Sequence, residues 1–145
     1  MTREGFELEP GETLLAVTNA SFRGAASASL RSTFALGSAR MRQKSYEDWR
    51  HAVELCGFPT AGPEMIMGLT DRRVVVCRTT FLGGRPSRFV GAIPLDRIAE
   101  IATVRHGLVT GLAFALRNGQ VIEVEAMRAR RLRRFATLLA DKLAR

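Results

Sequence analysis

A mainly β (α+β) domain, about seven antiparallel strands followed by an amphipathic C-terminal helix, is the fold class this sequence predicts. Three observations carry it. Short apolar runs separated by turn residues fill the stretch from residue 65 to residue 125. An Asn118-Gly119 pair, a strong hairpin signal, joins two of those runs. After Ala126 the apolar spacing changes from two residues to steps of three and four.

The elements follow in order. Glu9-Pro10-Gly11-Glu12 reads as a turn and residues 13–18 as the first strand. Residues 20–64 differ in character and are expected to form a helical insertion after that strand. Leu30, Phe34 and Met41 recur at roughly helical spacing, and Ser45 stands before Tyr46-Glu47-Asp48-Trp49 as a helix start. Tyr46, Trp49, Val53 and Cys56 share a face of that helix, and Gly57 with Pro59 should end it. Residues 65–69 form the second strand, a tight turn follows at Thr70-Asp71-Arg72, and residues 73–81, with Val74-Val75-Val76, form the third. Gly83-Gly84-Arg85-Pro86-Ser87 is a loop, and three strands are expected over 88–93, 98–105 and 109–117. Asn118-Gly119 predicts a type I′ turn, with positive φ at both residues, into a seventh strand over 120–125. Leu132, Phe135, Leu139 and Leu143 then make one helical stripe, with Arg128, Arg130, Arg131, Arg133 and Arg134 on the other faces.

Composition bounds the function. At 145 residues, with 46% hydrophobic and 25% charged residues, the chain reads as a single domain over 1–145. No apolar run approaches the roughly 20 residues of a membrane-spanning helix, and the polar, acidic start is unlike a signal peptide, so a cytoplasmic protein is expected. Cys56 and Cys77 stand far apart, outside any CxxC or Cys/His cluster, and no metal or other cofactor is expected. The net charge is +8, and only Lys44 and Lys142 among the cations are lysines. Arginine in place of lysine fits a GC-rich bacterial genome, but the excess of positive charge calls for anionic partners, lipid head groups or nucleic acid.

No catalytic motif stands in the chain. His51 and His106 lie on different elements without a nucleophile or acid beside them, and GxSxG, HExxH, GxxxxGK[ST] and GxGxxG are all missing. The reading is a non-enzymatic one. Within it, Tyr46 and Trp49 serve either as an interface anchor or as packing for their own helix. The arginines of the C-terminal helix are either phosphate contacts or a solvated face, and they crowd the helix end where the macrodipole disfavours cations.

Leu69-Thr70-Asp71-Arg72-Arg73-Val74-Val75-Val76 and Ile93-Pro94-Leu95-Asp96-Arg97-Ile98 resemble the turn-and-strand signature and a later strand connection of pleckstrin-homology-like (PH-like) domains, in particular bacterial PH and GRAM-like ones. The likeness covers residues 65–145 and, weakly, 10–18. It implies a curved, partly open antiparallel barrel plugged at one end by the C-terminal helix. It also implies a binding or adaptor role, peripheral at the inner membrane face or on a protein partner. The basic Lys-x(n)-Arg-x-Arg arrangement of phosphoinositide-binding members is missing, so that recognition does not carry over. The anion-binding candidates are instead Arg40, Arg42 and Lys44 of the insertion with Arg85 and Arg88 of the later loop, which a closed barrel would bring to one rim. Those loops, rather than the C-terminal helix, are expected to face the partner. The other class, a basic nucleic-acid binder, lacks a helix-turn-helix or RNP-like motif and has only 7% aromatic residues.

Overall fold

The computed structural model describes residues 5–22, 64–79, 85–106, 109–126 and 129–145. Seven strands, β1 (Leu14–Phe22), β2 (Glu64–Thr70), β3 (Arg73–Thr79), β4 (Pro86–Pro94), β5 (Ile98–His106), β6 (Val109–Leu116) and β7 (Val121–Ala126), precede one helix, α1 (Ala129–Leu143). All pairings are antiparallel, in the order β4-β3-β2-β1-β7-β6-β5. The sheet is not closed. Strands β4 and β5 are its two free edges, joined only through a 3₁₀ turn at Leu95–Arg97. The expected barrel is therefore an open seven-stranded sheet.

Residue patterns explain which faces are covered. On β6 and β7 the inward residues Leu112, Phe114, Leu116, Ile122, Val124 and Ala126 alternate as a half-buried strand requires. They meet Leu132, Phe135, Ala136 and Leu139 of α1, which packs on β1, β5 and β6. Each of those large α1 side chains contributes about 2 kcal/mol by its burial. Strands β2 and β3 lack alternation because both their faces are buried. Met65, Met67, Leu69, Val74 and Val76 point into the main core, while Ile66, Val75 and Cys77 form a second cluster with Phe6. Gly68 makes room for the cover: a Cβ there would stand 3.0 Å from the Phe6 ring.

Two sequence expectations change. Strand β1 runs on to Phe22, because Ser21 and Phe22 pair with Glu125 and Val124 of β7; the first residues assigned to an insertion thus belong to the sheet. The helix expected around Trp49 lies outside the described residues. The β6–β7 connection is not type I′. Only Gly119 has positive φ (89°), its N–H donates to the Leu116 carbonyl at 2.9 Å, and the Leu116 N–H donates to the Gln120 carbonyl at 2.8 Å. That is a three-residue loop, a type I turn closed by a left-handed glycine. Asn118 stays at negative φ because its Oδ1 accepts the Gln120 N–H at 3.0 Å, satisfying the chain locally.

Candidate functional site

Two places concentrate charge, at opposite ends of β2 and β3. At the Thr70–Arg73 turn, Glu12 is fully buried and its carboxylate is saturated. Oε1 accepts the Glu9 N–H (2.9 Å) and Arg73 Nη2 (3.0 Å), and Oε2 accepts Thr70 Oγ1 (2.7 Å) and Arg73 Nε (2.9 Å). The bidentate Arg73 guanidinium, above all, lowers the Glu12 pKa to about 2, against the opposing pull of burial. Arg73 Nη2 also donates to the Glu7 carbonyl, and its guanidinium sits 5.8 Å from the Phe89 ring centroid. With every lone-pair direction on Glu12 occupied by the chain itself, nothing is left to take a proton from a substrate. The cluster ties the N-terminal segment to the β2–β3 turn and is structural.

Cys77 is similarly excluded from chemistry. It is buried, its thiol donates to the Gly5 carbonyl at 3.2 Å, and burial, with Glu7 adding to it, pushes its pKa up to about 11. A thiol so placed is not a nucleophile at neutral pH. Among the described residues no three His, Cys, Asp or Glu side chains are grouped to hold a metal, and no helix is long and apolar enough to cross a membrane.

The other end carries a cavity of about 550 Å³. Among the described residues, β1 pairs with β7 only at Ser21 and Phe22, so the side of β1 away from β2 is open between Leu14 and Ala20. The cavity lies along that stretch and reaches both faces of the strand. A bulge at Leu15 turns Leu15 and Ala16 toward the main core, while Val17 belongs with Ile66 and Phe6 behind the sheet. Leu15, Ala16, Val17, Phe6, Ile66 and Pro86 make its apolar wall, with Asn19 beside them. Three cations complete it: Arg85 at the start of β4, and Arg131 and Arg134 from the first turns of α1. All three are exposed, none is in an ion pair among the described residues, and no acidic side chain is among the described lining.

Of the sequence candidates, Arg85 is at this cavity. Arg88 is not; it stands on exposed β4 opposite Arg78, a cross-strand pair of like charges. Arg40, Arg42 and Lys44 lie outside the described residues. Among the described residues, Arg131 and Arg134 of the helix share the cavity with Arg85 of the loop. At 3.6 residues per turn, Arg131 and Arg134, three residues apart, share one side of α1, but Arg130 and Arg133 have the same spacing, so the helix alone does not tell which pair meets the cavity. Phe6, too, was detectable only indirectly, since strands apolar on both faces require a second cover. No protein-family model matches this chain, and a comparison with curated proteins returns no relative.

Proposed function

We propose that the chain is a PH-like, non-enzymatic binding module that docks on an anionic membrane surface through Arg85, Arg131 and Arg134. The observation that carries this is the convergence of three guanidinium groups, none in an ion pair among the described residues, on one cavity with no acidic residue in its described lining. Guanidinium groups bind phosphate oxygens through paired, directional hydrogen bonds, which suits a phospholipid head group. Two further features support a PH-like reading. A seven-stranded antiparallel sheet, β1–β4 and β5–β7 each a meander joined through β1 and β7, is followed by one amphipathic helix, and both signature stretches fall at strand junctions that are stitched together. The Leu95 N–H donates to the Arg72 carbonyl and the Arg117 N–H to the Arg97 carbonyl. The Glu12–Arg73 and Glu9–Arg72 ion pairs lie at that stitched end, away from the cavity arginines. The protein is then peripheral at the cytoplasmic face of a bacterial membrane.

Co-sedimentation with vesicles tests this. Vesicles containing phosphatidylglycerol should carry the protein down at low salt, phosphatidylcholine vesicles should not, and binding should fade as ionic strength rises toward 0.5 M. Duplex DNA as competitor separates the other class: preference for DNA with a steep log–log salt slope would make the chain a nucleic-acid binder instead.

A further inference from the structure

Resting on that reading, we infer that the cavity accommodates the chain of a single-chain anionic amphiphile, a fatty acid or an alkyl phosphate, so that the protein holds one lipid molecule rather than only adsorbing to a surface. Surface adsorption needs cations alone, and a flat patch would supply them. Here the cations stand around a concavity of about 550 Å³ whose wall is part hydrocarbon and part polar, a volume within the range of small-molecule sites. Arg131 and Arg134 from α1 and Arg85 from β4 reach it from two different elements, a disposition that suits one compact anionic group. Leu15, Ala16, Val17 and Pro86 are half-buried, so they retain apolar surface for an alkyl chain to cover. Water lying over the half-buried Leu15, Ala16, Val17 and Pro86 side chains meets carbon there, and an alkyl chain displaces it at a gain. An anionic head with no chain leaves the wall wet, and a cationic amphiphile of equal length places like charges together.

Isothermal titration of the full chain with dodecyl phosphate, dodecanoate, ethyl phosphate and dodecyltrimethylammonium, all below their micelle concentrations, tests the inference. Dodecyl phosphate and dodecanoate should bind one to one, the first tighter if the site is built for phosphate and the second if for carboxylate. Ethyl phosphate should bind at least 100-fold more weakly and dodecyltrimethylammonium not at all. Across hexyl, octyl and decyl phosphates, affinity should rise by up to about fourfold per methylene until the cavity is full. Ala16→Phe, which fills the cavity, should weaken dodecyl phosphate at least tenfold while co-sedimentation with phosphatidylglycerol vesicles stays within twofold. Should Ala16→Phe melt early, the chain-length series on the unmodified protein decides alone. No dependence on chain length, with vesicle binding intact, overturns the cavity inference and leaves the surface reading standing. One-to-one binding of dodecyl phosphate without vesicle binding overturns the surface reading alone, and binding of neither overturns both.

Discussion

Glu12 is the residue whose environment is most sharply defined, and it makes a pH prediction. Its folded pKa, about 2, lies below the ordinary 4.5, so it contributes stability above pH 4.5 that is lost as pH falls toward 2. The full contribution is about 3 kcal/mol, of which about 2 kcal/mol is gone by pH 3. Glu12→Gln should therefore cost about 3 kcal/mol at neutral pH, and the gap to the unmodified protein should narrow by about 2 kcal/mol at pH 3. Urea unfolding at the two pH values reads both numbers. An equal gap at both would mean the Glu12–Arg73 pair is not the source. The sequence offered Glu12 only as part of a turn and Arg73 only as the start of a strand. Their pairing spans 61 residues, and no local pattern encodes a contact that the folding of the intervening chain creates.

At the scale of elements, the strands and the helix were legible because their signals are local. Alternation placed β6 and β7, the Val74-Val75-Val76 run placed β3, and the stripe of Leu132, Phe135 and Leu139 placed α1. Leu139 is fully buried against the sheet, so Leu139→Asp should lower unfolding free energy by at least about 3 kcal/mol, read by thermal melting with circular dichroism. A melt like the unmodified protein's would refute the packing of α1. The hairpin shows the finer limit of local signals. Asn-Gly marked a turn correctly but not its kind, because the Leu116–Gln120 pair closes a three-residue loop with only one left-handed position. Nothing lies within 4 Å of a Cβ added at Gly119, whose φ is 89°. Gly119→Ala should thus cost about 1 kcal/mol from backbone conformation alone, whereas Asn118→Gly, needing no positive φ, gains nothing from the freedom a type I′ turn would use. Equal responses at the two positions would contradict the loop assignment.

Across the whole molecule, charge is what composition reveals and position is what it conceals. The excess of +8 predicted an anionic partner, but the candidate residues followed from loops, whereas the cavity takes one loop arginine and two from the helix. Which faces of α1 remain open depends on where β1 separates from β7, a feature of the sheet's topology rather than of any segment. The proposed docking surface accordingly keeps Arg85 from the candidates Arg40, Arg42, Lys44, Arg85 and Arg88, of which the first three lie outside the described residues, and adds Arg131 and Arg134. The measurement that tests this most directly compares two double charge reversals that change net charge equally, Arg131→Glu/Arg134→Glu and Arg130→Glu/Arg133→Glu, by co-sedimentation with phosphatidylglycerol vesicles at fixed salt. A cavity-centred site predicts at least tenfold weaker binding for the first pair and at most about threefold for the second. Equal weakening by both pairs would mean that diffuse positive charge, rather than the arginines grouped with Arg85, holds the membrane.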